Sequence, residues 1–547
     1  MKRPTIGFFV IALLIATAGV SLKDRYFEIA RNLEIFASLF KEVNNYYVDE
    51  VSPGLLMNTA INSMLGTLDP YTNYIPADMV EDFRTTNTGQ YGGIGAMTRQ
   101  IGQRTVISMV FPGFAAHKAG LKVGDEVLKI DGRDITGLSP EEAGLLMKGE
   151  IGKPVKLTVK RFGKEEPVTI ELKREKIKIS NVPWFGMLDN ETGYIRLSEF
   201  TPEAGKNVRS AVINLKEKNA RRIILDLRNN PGGLLMEAVL VCNVFLPKGK
   251  KVASTKGKLA EHNETYETPE NPVDTEIPLA VIINRGSASA SEVVAGTLQD
   301  YDRAIILGER SFGKGLVQIT RPLSYNAQLK VTTAKYYIPS GRCVQVLDYS
   351  HRREDGSVEA VPDSLKKAFT TLNGRTVYDG GGIEPDIVVA QPEMHPLVEA
   401  LHRQGLLFDY ATYYAGTRPE PADARSFSLT PAEYQDFLSW MKNQRYVYKS
   451  EPEKNLENLK RTVARERYNK ELQDYLNRLE ALIASKRKDE LLIYRDAIKK
   501  ELEEEIVTHY FLEAGAIEHA LNNDDNIKTA AGLLADNSRY RKLLRLN

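Results

Sequence analysis

Cysteine is almost missing from this chain: Cys242 and Cys343 are the only two among 547 residues. No C-x-x-C pair occurs and the seven histidines are scattered, so no zinc-type ligand spacing is present, and neither metal nor cofactor is expected. Cys242 sits in the apolar run AVLVCNVFL and reads as a small buried residue. Whether it pairs with Cys343 is left open by the sequence. Excess charge is missing too. The 73 Lys and Arg balance 72 Asp and Glu to leave +1, mixed along the chain, which excludes a broad nucleic-acid footprint. With 42% hydrophobic and 27% charged residues the composition is that of a soluble globular protein, too long for one core, so two to four domains are expected.

One apolar stretch departs from that texture. Lys2 and Arg3 precede IGFFVIALLIATAGVSL (residues 6–22), and Lys23, Asp24 and Arg25 follow it. A positive start, a short apolar run and the small-residue site Ala16-Thr17-Ala18 make a secretory signal over residues 1–22. The run is near the lower length limit for a membrane span, so an uncleaved N-terminal membrane anchor is the alternative. Either reading places the remainder outside the cytoplasm, in the periplasm or on the extracytoplasmic face of the membrane.

Residues 23–90 read as a helical N-terminal region, broken by Asp69-Pro70-Tyr71 and Ile75-Pro76. Over 91–176 short β-rich runs (RTVISMVF, EVLKIDG, VKLTVKR, EPVTIEL) alternate with glycine turns, and SPEEAGLLMKG reads as one helix. The turn containing Gly93, Ile94, Gly95 and Ala96 exposes backbone N–H groups able to cradle a carboxylate. On the loop alone, an ordinary tight hairpin is the simpler account. Residues 177–391 alternate continuous apolar strands with helices, the signature of βαβ units and a mainly parallel sheet. The polar run 260–276 within them reads as a surface loop. Residues 392–547 form a charged, helical C-terminal region whose amphipathic helices pack on the core or on a second copy of the chain; no chemistry is legible there.

Three loops follow apolar strands of the α/β region: Arg228-Asn229-Asn230-Pro231-Gly232-Gly233, Arg285 to Glu292 (RGSASASE), and Glu309 to Lys314 (ERSFGK). Loops at the carboxyl ends of parallel strands converge on one crevice. A small-residue turn ahead of a helix can present a serine hydroxyl beside free N–H groups. Ser289-Ala290-Ser291-Glu292 is equally an S-x-x-E capping box, and on local sequence capping is the better account. Gly308 to Lys314 has the G-x-x-x-x-G-K spacing of a phosphate loop. Gly315 stands where that loop needs Ser or Thr, and the next segment is β-rich, so the phosphate reading fails. Among apolar neighbours, burial depresses a lysine's pKa and lets it accept a proton, which is one way to activate a serine. A histidine base is disfavoured, because His262 and His351, the two in this region, lie in polar loop contexts.

The ordered motifs carry a resemblance. GGIGA and FPGFAAHKAGLKVGDEVLKIDGRDI resemble a PDZ domain. After them come LDLRNNPGG, VIINRGSASASEVVAGTLQD, ILGERSFGKGLVQ, LKVTTAKYYIPSGRCVQ and GGIEPDIVV. In that order the chain resembles the carboxyl-terminal processing (tail-specific) serine protease family over about residues 40–389. The resemblance implies a multidomain α/β protein: a PDZ-like β-rich module, a crotonase-like α/β serine protease core, and helical N- and C-terminal regions. It also implies Ser289 as nucleophile, Lys314 as general base and Gln318 as the residue positioning that lysine. The oxyanion hole would be the N–H of Ala290 with that of Gly232 or Gly233, and Gly93, Ile94, Gly95 and Ala96 would bind peptide. The implied function is an exported endopeptidase that captures exposed C-terminal tails of protein substrates and cleaves with a Ser-Lys dyad. A non-catalytic exported PDZ adaptor is the main rival, and a small-substrate esterase or amidase the second. Homo-oligomer formation is compatible with the sequence and not decided by it.

Overall fold

The computed structural model describes residues 5–353, 357–360, 362–390, 393–466, 470–486 and 489–546. The signal or anchor reading of residues 1–22 lies outside the described residues, since 1–4 are not described and 5–25 only as backbone. Among the residues described with their side chains, from Tyr26 onward, no helix is long and apolar enough to cross a membrane.

The chain forms two compact units, Met1–Ile75 with Thr320–Val331, and Pro76–Ile319 with Thr332–Asn547. In the first, helices Thr5–Tyr46 and Pro53–Gly66 precede a strand, Asn73–Ile75, that pairs antiparallel with residues 328–330. Ser52 opens the second helix: its hydroxyl accepts the Leu55 N–H at 3.4 Å, and Pro53 fills the first helical position, where no N–H is needed.

The second unit begins with the β-rich module. The chain enters on Gln90–Gly93 and leaves on Glu175–Lys178, two strands paired antiparallel. Between them Ala96–Ile101, Arg104–Val110, Glu126–Ile130, Pro154–Lys160 and Val168–Lys173 form an antiparallel sheet in that spatial order. Pro154–Lys160 alternates buried and solvent-facing residues, which puts Val155, Leu157 and Val159 into one core. Helix Pro140–Met147 carries a full capping box between Ser139 and Glu142.

The larger part of this unit is a six-stranded sheet: β1 (Trp184–Met187), β2 (Thr192–Arg196), β3 (Arg222–Asp226), β4 (Leu279–Ile283), β5 (Ile305–Gly308) and β6 (Ile387–Val388). Only the β1–β2 pairing is antiparallel. The central strands are buried on both faces, which is why they read as unbroken apolar runs. Helices α1 (Ala204–Glu217), α2 (Leu235–Phe245) and α3 (Ala290–Asp300) cover one face, and all eleven residues of α3 are buried. The other face is covered from the far end of the chain. Ile224, Ile282 and Leu307 pack against Ile527, Leu533 and Leu534, which belong to α4 (Asp525–Ala535). The last helices therefore complete a three-layer core.

Residues 260–276 are not simply a loop, because Thr265–Glu267 pairs with Lys251, Ala253 and Ser254 as a short edge strand. Cys242, buried in α2, and the half-buried Cys343 are both free thiols. The remaining C-terminal helices build a core of their own around Leu407, Tyr410, Phe437, Ile498 and Leu502. Phe408 points the other way, into the core of the β-rich module.

Candidate active site

The loops after β3, β4 and β5 meet at the amino end of α3. Ser289 stands immediately before that helix, half-buried, with φ 54° and ψ −112°. A serine held at positive φ costs of order 1–3 kcal/mol and persists only where its surroundings over-determine it. The surroundings here are specific. The Ser289 N–H donates to Glu292 Oε2 at 2.9 Å, and the Lys314 N–H donates to the same oxygen at 2.8 Å. Glu292 Oε1 accepts the Ser311 hydroxyl at 2.6 Å and the Gly313 N–H at 2.7 Å. One fully buried carboxylate thus ties the serine turn to the lysine loop. Burial pushes its pKa up to about 7 against the four donors, which act to lower it.

Tyr336 makes a second tie. Its hydroxyl lies 3.1 Å from the Ser289 carbonyl oxygen and 2.6 Å from that of Lys314, and its ring is buried. It can donate its single proton to only one of them at a time. Glu292 and Tyr336 therefore link the backbones of the two candidate residues from opposite polarities, one through N–H groups and one through carbonyls. In the sequence Glu292 reads only as a helix cap, and Tyr336 carries no local signal. The four-fold acceptor role of Glu292 depends on a loop 19–22 residues further on, which no local pattern reveals.

The glycine loop is held by Asn230, which is fully buried. Its Nδ2 donates to the Leu197 carbonyl at 2.9 Å, while its Oδ1 accepts the Gly232 N–H at 2.9 Å. Its carbonyl accepts the Ala288 N–H at 3.0 Å and the Ser291 hydroxyl at 2.9 Å. Gly232 presses on the serine turn. A Cβ there would stand 2.7 Å from the Ala288 carbonyl oxygen, 2.8 Å from Ser289 Cβ and 2.9 Å from the Ala290 nitrogen, and φ is +100°. With the Gly232 N–H engaged by Asn230, that of Gly233 is the glycine donor that has no acceptor among the described residues, as is the N–H of Ala290 at the first turn of α3. Ser287 is a framework residue, its hydroxyl donating to the Leu227 carbonyl at 2.8 Å.

Lys314 is half-buried and lies two residues before the strand Leu316–Pro322 rather than within it. Gln318, on that strand, donates from Nε2 to Thr332 Oγ1 at 3.2 Å. In the β-rich module Gly95 has φ +80°, and the carbonyls of Ile94 and Gly95 accept the N–H groups of Ala116 and Phe111 at 2.8 Å each. The N–H groups of Ile94 and Gly95 have no acceptor among the described residues. They open onto Ala96–Ile101, which pairs on one side only and has helix Pro140–Met147 beside it. Among the described residues no group of His, Cys, Asp and Glu is arranged to hold a metal ion.

A parallel sheet whose loops bring a strained serine, a lysine and glycine N–H groups to one helix start, joined to a PDZ module, defines a PDZ-bearing serine peptidase. Comparison with known proteins is specific. The profile of Peptidase family S41 matches residues 191–348, that of the PDZ domain residues 85–160, and that of a probable PDZ-protease C-terminal helical domain residues 397–534. A carboxy-terminal-processing protease of Bartonella bacilliformis is 36% identical over 392 residues, 71% of this chain and 81% of that protein. A probable CtpA-like serine protease of Staphylococcus aureus is 34% identical over 315 residues, 57% of this chain and 62% of that protein. Among solved structures, a photosystem II D1 C-terminal processing protease is 26% identical, covering 69% of this chain and 97% of that one with a TM-score of 0.37. The chain belongs to the carboxy-terminal-processing proteases of peptidase family S41.

Proposed function

We propose that this chain is an exported endopeptidase that captures exposed C-terminal tails of protein substrates and hydrolyses them with a Ser289–Lys314 dyad. The observation that carries the reading is the double tie of Ser289 to Lys314 through Glu292 and Tyr336, on a serine held in a strained turn at a helix start. Lys314 takes the Ser289 proton as the hydroxyl attacks the scissile carbonyl, and returns it to the leaving amine. The tetrahedral oxyanion forms against the N–H groups of Ala290 and Gly233, and water then releases the acyl-enzyme. Gln318 orients Lys314. The Gly93–Ala96 turn receives the substrate carboxylate, and the open edge of Ala96–Ile101 pairs with the tail. Residues 1–22 carry the chain out of the cytoplasm as a signal or hold it at the membrane as an anchor.

The test uses the chain lacking its first 22 residues and a folded protein ending in an unstructured apolar tail. The parent cleaves, while Ser289→Ala and Lys314→Ala do not. Cleavage by Ser289→Ala removes the assignment, and a parent that binds the tail without cutting it favours the adaptor. Fractionation of cells expressing the full chain, with the processed and unprocessed forms resolved, tests export.

A further inference from the structure

The glycine loop is anchored at its other end by an ion network that leaves the protease sheet altogether. Asp226, the last residue of β3, is fully buried and accepts the Tyr194 hydroxyl at 2.7 Å and Arg196 Nη1 at 2.8 Å. Arg228, two residues on and 9% exposed along its side chain, folds back onto the same carboxylate. Its Nε lies 3.1 and 3.0 Å from the two oxygens and its Nη2 is 2.5 Å from Oδ2. Its remaining arm, Nη1, points away from the sheet and donates to Asp524 Oδ2 at 2.6 Å.

Asp524 has two distinct tasks. Its Oδ1 accepts the N–H groups of Asn526 and Ile527 at 2.9 and 3.1 Å and so caps α4, while Oδ2 holds Arg228. Asp226 and Asp524 match Arg196 and Arg228 in charge, and Glu513 is a further carboxyl group close enough to interact with Arg196. A buried guanidinium with only part of its fork satisfied is costly, because unmade bonds in low dielectric are not repaid by water. Without Asp524 the outer arm of Arg228 loses its carboxylate and must seek another acceptor. Arg228 is followed directly by Asn229 and Asn230, and Asn230 sets the Gly232-Gly233 turn against Ser289.

We infer that Asp524 is a positioning residue for the proteolytic site. Through Arg228 it fixes the start of the glycine loop and so the placement of the oxyanion-binding N–H, a task assigned to the C-terminal helices rather than to the protease core. The inference rests on the Ser289 reading above. It predicts a loss in the chemical step, since misplacing a donor by a fraction of an ångström acts on the transition state more than on tail binding.

Two variants separate this task from capping. Asp524→Asn keeps an oxygen for the helix cap but turns an amide toward Arg228, and Asp524→Ser caps equally well but is too short to reach it. Asp536→Asn is the control, because Asp536 caps the next helix through the Arg539 N–H. Turnover is expressed per active site, titrated with a small fluorophosphonate that does not use the PDZ module. In both Asp524 variants kcat per titrated site falls about 10- to 100-fold. KM stays within about twofold of the parent value, phosphonylation slows in parallel with kcat, and the pH midpoint set by the base does not move. Asp536→Asn matches the parent. The inference is overturned if kcat per titrated site is unchanged while only the number of titratable sites falls, or if KM carries the effect. Ser289→Ala run beside them keeps the two questions apart. Cleavage surviving in it sinks the Ser289 reading, whereas Ser289-dependent cleavage with parent-like Asp524 variants sinks only this inference.

Discussion

Replacing Glu292 by glutamine reproduces the shape of the protonated acid and removes its titration, so it isolates what the charge does. The buried carboxyl has its pKa pushed from 4.5 to about 7 by burial, opposed by the four donors around it. A carboxyl raised in this way stabilises the fold fully below its unfolded value of 4.5, and that contribution is lost as pH rises through about 7. Integrated over the interval, the loss is about 3 kcal/mol. Glu292→Gln lacks this slope. Its melting temperature lies near that of the parent at pH 5, where both are neutral, and climbs several degrees above it by pH 8.5. Activity moves the other way. The ionised form makes charge-assisted bonds to the N–H groups of Ser289 and Lys314, roughly twice as strong as neutral ones, and glutamine can offer one acceptor oxygen where there were two. Turnover at pH 8.5 falls at least about 10-fold, the cost of one weakened tie at about 1.4 kcal/mol. Thermal melts at half-unit pH steps, with turnover measured on the same samples, decide the matter. A melting difference that stays constant from pH 5 to 8.5 refutes the reasoning, as does a variant that loses stability at high pH.

Tyr336→Phe removes only the hydroxyl between the Ser289 and Lys314 carbonyls, so stability falls by about 1 kcal/mol while kcat falls by an order of magnitude or more, read by melting and steady-state rates. Gly232→Ala places a methyl within 2.9 Å of three atoms of the serine turn at φ +100°, and the variant loses fluorophosphonate labelling even where a folded fraction remains. Asn230→Ala strands the Gly232 N–H and removes the support of the Leu197 carbonyl, costing about 2–4 kcal/mol by urea unfolding together with cleavage activity. His509 is half-buried between Thr412 and the Glu505 carbonyl, and desolvation lowers its pKa from 6.5 to about 4. Its contribution is present above pH 6.5 and lost as pH falls through about 4, so His509→Gln flattens an acid-side decline of about 3 kcal/mol in urea midpoints.

The strands, the helices covering the first face and the order of the motifs were legible in sequence, because each rests on local periodicity or on glycines at fixed offsets. What joined them was not. Asn230 looks like one of two adjacent turn asparagines, yet its side chain and carbonyl organise three segments that meet only in the folded sheet. What distinguishes Gly232 from Gly233 is the Asn230 side chain, which engages the first N–H, while the second has no acceptor among the described residues. The helix Asp525–Ala535 carries an ordinary amphipathic pattern, and nothing in that pattern says that its apolar side meets β3, β4 and β5. Lys314 lies outside the strand that carries Gln318, which begins at Leu316, and the turn that carries the lysine is set by its bond to Glu292 instead.

The third layer has a consequence for the order of events in biosynthesis. Strands β1 to β6 are complete by Val388, whereas the helix that covers their second face begins more than a hundred residues later, at Asp525. At about 5–20 residues per second the ribosome takes roughly 7 to 27 s to bridge that gap. Throughout it the sheet shows a bare apolar face to whatever surrounds the nascent chain. The layer that closes the second face of the sheet is thus the last part of the core to leave the ribosome, and the three-layer packing is complete only once Ile527, Leu533 and Leu534 have been delivered.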